Sequence, residues 1–362
     1  LQKDMHYYGT YVMARAAGIK QDNAQVIASA AQFVDDNAAK KSVEFKDGGA
    51  LHSRPTAHHA IHIKNIDKED QRLVWVPFHF LPGNEGEGLT ERLICRKNSA
   101  ISIAMKNNHL TRHEEEFSDE LMGIAAHVYA DTFSHYGFSG ISSRWNKIDN
   151  DSFIFDESKN SAEIIKYVKK RQKEFKAKYT EESGIMENII SWFAETFSGA
   201  LGHGAACTFP DRPYLIWKFD YEEPERDSGW RDNPATFMEA CEALHDMFCQ
   251  YAQVKSGITD RAATDFSVIR EKVDEILKYE GSEKERIAKW VGAVNEENIL
   301  GPGETLPEYL GPKWLGEKAD MDGDPNSVKA KDMPIYQFYQ AASYHRHYVL
   351  RNLLPDNELV VA

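Results

Sequence analysis

Apolar residues recur at helical spacing along most of the chain. "TYVMARAAGI" reads as a short helix broken at Gly18. "DNAQVIASAAQFVDDN" reads as a second helix, with Asp22 or Asn23 as its cap. "SDELMGIAAHVYADTFSHYG" predicts a third. Asp119 and Glu120 sit in its first turn, where the helix dipole favours acids, and Gly137 ends it. The same period runs through 161–178, 184–200, 235–255, 261–279, 283–294 and 334–353. Three stretches differ: 58–65 and 73–82 alternate or run apolar and β-branched and predict short strands, as does 213–221. Residues 301–333 are rich in Gly, Pro and Asp and predict a long surface loop. The pattern therefore predicts a mainly α fold. It reads as one domain over 1–362, with a core in 1–220 and a helical and loop extension in 221–362.

Composition narrows the class. Hydrophobic residues make up 42% and charged residues 28%, as in soluble globular chains, and the net charge is −14. Nucleic-acid binders carry a basic footprint, and the most basic run here, "KYVKKRQKEFKAK" (166–178), fits one solvated helix face. Bound metal ions would supply local positive charge, so acidity does not exclude a nucleic-acid substrate. Cys95, Cys207, Cys241 and Cys249 form no CxxC pair and read as free thiols of a reducing compartment. No apolar run approaches the ~20 residues of a membrane span, and the first residues carry no signal-peptide core. Cytoplasmic residence is the expectation; export without a cleaved signal and a leader already removed both stay open.

The informative residues are the 14 histidines. In "GIAAHVYADTFSHYG", His127, Asp131 and His135 recur every four residues and line one edge of a helix. Their neighbours are small or apolar, so a polar stripe there is costly to bury unless paired or metal-bound. "DMHYY" places Asp4 and His6 on the same side of an extended segment. "FVDD" places Asp35 and Asp36 at a helix C-terminus, where acids oppose the dipole and a cation would offset the cost. His79 lies among large apolar residues in "PFHF", a setting that also suits a core histidine. His203 is flanked by Gly202 and Gly204, and Asp211 and Arg212 follow Pro210. His58, His59 and His62 have a spacing that assigns no role. "LHDMF" (His245, Asp246) fits a helix face, and "YHRHY" (His345, His347) fits surface decoration. "DMDGD" (320–324) is only faintly like a calcium loop: its glycine is misplaced and Lys331 stands where the closing glutamate belongs. The chain has no GxSxG elbow, Walker loop or HExxH.

In this order the motifs resemble the zinc-dependent phospholipase C and single-strand nuclease superfamily. The spacing is most similar to the catalytic domain of phospholipases acting on glycosylphosphatidylinositol. The chain also looks like an uncharacterised bacterial family that begins D-x-H-Y-Y and carries Q-[FY]-V-D-D and P-F-H-F-L-P-G. The superfamily resemblance implies a mainly α fold holding up to three zinc ions in a cleft. Asp35, His79, His127 and Asp131 would hold the first zinc. His135, His203 and a nearby acid would hold the second. Asp131 would bridge to a third, completed by His6. Members of the superfamily offer the amine and carbonyl of their first residue to that third zinc. Here Leu1 lies five residues before His6, which makes Asp4 a natural substitute. The second-site acid usually sits four after the glycine-flanked histidine, where this chain has Cys207; Asp211 is the preferred alternative, and the site would then hold two or three ions.

The implied reaction is phosphodiester hydrolysis. Asp35, or its neighbour Asp36, would orient or deprotonate the attacking water, and Arg212 would help neutralise the phosphate. A phospholipid or lipid-linked phosphodiester is the first substrate class expected. A single-stranded nucleic acid is the second, and a non-catalytic metal-binding protein on the same fold is the third reading.

Overall fold

The computed structural model describes residues 1–38, 41–57, 71–149, 151–182, 206, 208–222, 225–321 and 326–359. The fold is mainly α, with a few short antiparallel strands. Its axis is the helix Ser118–Ser134 (here α4), in which every residue is buried. A helix that is apolar on all sides, as Leu121, Met122, Ile124, Ala125, Ala126 and Val128 make this one, needs neighbours on all sides. It has them: α2 (Gln21–Asp36), α3 (Ala100–Leu110), α6 (Asn233–Val254) and α10 (Pro334–Tyr348) all pack on it. α1 (Thr10–Ala16) lies against α2 and α6. α5 (Ala162–Glu182) runs beside a small three-stranded sheet. α7 (Phe266–Leu277) and α8 (Glu283–Asn295) continue the packing from α6, and α8 also lies against the Asp4–Gly9 turn.

The closest packing joins α2 to α4. A methyl group on Gly123 would lie 2.2 Å from the Ile27 carbonyl oxygen and 2.6 Å from Ala30 Cβ. Glycine lets the two backbones approach that far, and the approach carries the end of α2 to the middle of α4. α4 ends at Ser134, and Gly137 turns the chain with a φ of +88°. α2 begins at Gln21, so Asp22 and Asn23 lie in its first turn and Lys20 holds the cap position.

The strand expected over 73–82 is corrected. Gln71–Trp75 is a π-helical turn and Val76–Phe78 a helical one, with Pro77 in the first turn, where its missing N–H costs nothing. A short apolar run buried on both sides has the same pattern whether it is strand or helix. The strand expected over 213–221 is present as β4 (Ile216–Lys218) and β5 (Asp220–Tyr221). β4 pairs with β3 (Ile154–Phe155) and with β7 (Arg231–Asp232), while β5 pairs with β6 (Arg226–Asp227). β1 (Lys41–Glu44) and β2 (Ala50–Ser53) form a separate hairpin.

The long loop expected over 301–333 is also corrected. Gly311–Met321 is a helix, α9, with Pro312 in its first turn. Its Trp314 packs against Phe33 and Phe338 at centroid distances of 5.2 and 5.8 Å. The stretch after 221 is part of the main core: one buried apolar cluster runs from Leu1 through α4 to Leu359. His345, expected on the surface, is fully buried. Cys95, Cys241 and Cys249 are free thiols. No helix of the described residues is long and apolar enough to cross a membrane. The strand expected at 58–65, the helix expected at 184–200, and His58, His59, His62, His203, Cys207 and most of "DMDGD" lie outside the described residues.

Candidate metal centre

The edge of α4 that carries His127 and Asp131 faces the end of α2. Asp35 arrives there from α2, His79 from the turn after Val76–Phe78, and His6 from the π-helical turn Asp4–Gly9. His127 Nε2 lies 3.2 Å from Asp131 Oδ2 and 3.3 Å from His79 Nδ1. His79 Nδ1 lies 3.5 Å from the same Asp131 oxygen. Asp35 Oδ1 closes the group at 3.8 Å from His79 and 3.9 Å from His127. Four donors around a tetrahedral ion with ~2.05 Å bonds stand ~3.4 Å apart. The observed spacings bracket that value.

Backbone carbonyls fix the three rings. His127 Nδ1–H donates to the Ala31 carbonyl at 2.8 Å, His79 Nε2–H to Thr56 at 2.9 Å and His135 Nδ1–H to His79 at 2.8 Å. These acceptors assign the proton of each neutral ring to the outward nitrogen and leave the other with a lone pair. His127 and His79 therefore aim two lone pairs at one point, beside a carboxylate. That arrangement repels itself unless a cation, or at least a proton, sits within it. Burial lowers the proton affinity of His127, but Asp131 and Asp35 outweigh it and hold its pKa above the usual value. The same field that draws in a proton draws in a metal ion.

Asp131 presents its other oxygen to a second group. Oδ1 lies 3.3 Å from His6 Nε2 and 2.8 Å from the Leu1 nitrogen. The His6 ring stacks on His127 at 3.8 Å. Burial and the neighbouring His127 hold His6 well below its usual pKa, so it is neutral, as a ligand must be. Neither His6 nitrogen, nor Asp131 Oδ2, has a hydrogen-bond partner among the described residues, and all are buried. Buried polar atoms are normally satisfied, so three orphans in one cluster point to a missing ligand. Burial pushes the Asp131 carboxyl up, yet His135, the Leu1 nitrogen and His127 together hold it well below the usual range, and it stays ionised.

A third group follows. His135 Nε2 lies 3.0 Å from Asp211 Oδ1, and the Leu1 nitrogen lies 3.1 Å from that oxygen. Asp211 thus lies beside His135. A cavity of about 150 Å³ opens on these groups, lined by Leu1, Asp35, Trp75, His79, Phe80 and Asp211 among others.

Two expected site residues lie elsewhere. Asp4 is bonded to Arg286, whose Nε donates to its Oδ2 at 2.7 Å. "DMHYY" is helical, and residues two apart on a helix point to nearly opposite sides, so His6 turns into the cluster and Asp4 away. Arg212 is absent from the cavity lining. Its guanidinium donates to the Tyr214 hydroxyl at 3.0 Å and to Thr208 Oγ1 at 3.1 Å, and faces the Tyr167 ring. Trp75 was missed by sequence reasoning because it stood inside the run taken for a strand. The first residue's amine was set aside there in favour of Asp4, whereas the Leu1 nitrogen lies against Asp131 and Asp211.

A family model described as a family of unknown function (DUF6765) matches residues 1–353. The chain belongs to that family. No curated protein and no solved structure matches it. The buried group His6–His127–Asp131 and the group Asp35–His79–His127, in which Asp35 is half-buried, could each hold a metal ion, and this family member brings them together from four separate segments.

Proposed function

We propose that this protein is a metal-dependent phosphodiester hydrolase using two or three zinc ions, with a phospholipid or lipid-linked phosphodiester as substrate. The observation that carries the reading is Asp131: its two oxygens face two donor groups, so one carboxylate would bridge two ions. The donor set of imidazoles and carboxylates suits zinc.

His79, His127, Asp35 and Asp131 would hold one ion, His6 and Asp131 a second, and His135 and Asp211 a third. Clustered ions supply an acidified water and a clamp for phosphoryl oxygens. Asp35 is the accessible member: its side chain is 33% exposed, while Asp131 is 1% exposed. Burial of its surroundings raises the Asp35 pKa, which favours accepting a proton from water. Asp131 stays ionised and holds its place. Trp75 and Phe80 form an apolar wall beside the carboxylates and give the ester's organic part a surface to lie on.

The test is hydrolysis of phosphatidylcholine, a lipid-linked glycan phosphodiester and single-stranded DNA, with zinc supplied. Activity on a lipid substrate that falls by at least ~10²-fold in Asp35→Asn supports the reading. Activity confined to DNA replaces the lipid substrate with a nucleic acid. Activity on no substrate in the zinc-loaded protein rejects hydrolysis.

A further inference from the structure

Of "YHRHY", read as surface decoration, His347 is exposed, but His345 and Arg346 lie buried against the metal centre's supports. His345 Nε2–H donates to the Pro77 carbonyl at 2.7 Å, and His109 Nε2–H donates to His345 Nδ1 at 2.9 Å. The Pro77 carbonyl, which can only accept, fixes the His345 proton on Nε2 and so makes His109 the donor to Nδ1. Arg346, the next residue, donates through Nε to the Leu73 carbonyl at 2.8 Å and through Nη2 to the Pro55 carbonyl at 2.6 Å. Its guanidinium lies 4.9 Å from the Phe78 ring centroid.

Those three carbonyls share one property. Leu73 and Pro77 belong to the helical turns that end at His79. Pro55 precedes Thr56, whose own carbonyl accepts the His79 Nε2 proton. Thr56 Oγ1 in turn donates to the Val34 carbonyl at 2.7 Å, one residue before Asp35. A rigid planar donor fork thus ties the backbone that carries His79 to the backbone that aims its ring. A buried guanidinium is a costly way to satisfy carbonyls, and it is spent where the orientation of one imidazole is decided.

We infer that His345 and Arg346 are positioning residues for the metal centre: from α10 they hold the 71–79 turns and the Pro55–Thr56 backbone so that His79 Nδ1 points at Asp35, His127 and Asp131. This rests on the reading of the site as metal-binding. It predicts that Arg346 governs chiefly the affinity of the ion His79 holds, and that the ion at His135 and Asp211 feels it only weakly, through the His79 carbonyl that accepts the His135 Nδ1 proton.

The experiment titrates the metal-free protein with zinc by calorimetry and with cobalt(II) by visible absorption, in wild type, Arg346→Ala, Arg346→Lys and His345→Leu. Loss of outer-shell support typically weakens metal binding 10–100-fold. Arg346→Ala is expected to weaken one zinc step by that factor, shift one cobalt band and leave the remaining steps within about threefold. Guanidinium ion added to Arg346→Ala is expected to restore much of the lost affinity. Should Arg346→Ala not fold, Arg346→Lys and His345→Leu carry the same expectation with smaller factors. Variants that melt at lower temperature but bind every ion as wild type does would overturn the inference while sparing the metal reading. A wild-type protein that binds no ion would overturn both.

Discussion

Asp4 and Asp131 are both about 1% exposed, and they illustrate two ways to bury a carboxylate. Asp4 is finished: Arg286 donates to both its oxygens and also to the Gly281 carbonyl, so charge and hydrogen bonds are met inside the protein. Asp131 is half finished. Its Oδ1 pairs with the Leu1 nitrogen at 2.8 Å, but its Oδ2 stands among imidazole nitrogens with no hydrogen-bond partner among the described residues. A completed ion pair contributes to the fold. An incomplete cluster costs stability and is understandable where a cation completes it. The sequence offers Asp131 as a bridging ligand and Asp4 as a substitute for the first residue's amine; the helical turn at Asp4–Gly9 turns Asp4 away.

The comparison breaks first at Arg286. Arg286→Ala strands a buried charge and is expected to cost about 3–5 kcal/mol. The loss in a denaturant titration should be the same with and without chelator. A loss that appears only in the metal-loaded protein would mean Asp4 belongs to the centre after all. Asp131→Asn should behave oppositely. Metal at a hundred times its dissociation constant stabilises by about 2.7 kcal/mol, and the variant should forfeit that gain. Without metal, the variant also loses the buried pair with the Leu1 nitrogen, so its midpoint should still fall, but by less than in the metal-loaded protein.

Gly123→Ala sharpens the role of helix packing. Overpacking costs about 1–3 kcal/mol, and pushing α2 off α4 should also weaken zinc binding, since Asp35 and the Ala31 carbonyl move with α2. Calorimetric titration should register both effects together. Stability lost with metal affinity intact would show that the close approach serves packing alone.

A third buried acid gives an effect that appears only as the pH rises. Burial pushes the Glu120 pKa from 4.5 up to about 8, with no help from a cation centre. The folded state therefore keeps a proton that the unfolded chain releases. Its contribution is fully present below about pH 4.5 and is lost as pH rises through about 8. Glu120→Gln should leave the chelated protein's melting temperature near the wild type's at pH 5 and raise it by a few degrees at pH 9. An equal shift at both values would contradict the raised pKa.

Much of this was legible in the chain because helices announce themselves. The period of "GIAAHVYADTFSHYG" placed His127, Asp131 and His135 on one helix edge; the structure keeps His127 and Asp131 there and has His135 at the cap just past the helix end. Asp35 and His6 were legible as polar residues in apolar segments. What stayed hidden depended on backbone state or on distant partners. Asp4 and His6 face together in an extended segment and apart in a helix. The 71–78 turns and α9 are set by burial on all sides and by the Trp314 anchor, which periodicity does not encode. His345 looked exposed because its partners, Pro77 and His109, lie more than two hundred residues away.

The central claim is that the Asp131 cluster is completed by metal. Elemental analysis of the purified protein after zinc reconstitution tests it directly, with Asp131→Asn measured beside it. The account predicts at least about two equivalents of transition metal in the wild type and a loss of more than half in the variant. A wild-type protein holding less than about one equivalent, or a variant holding as much as the wild type, would contradict it.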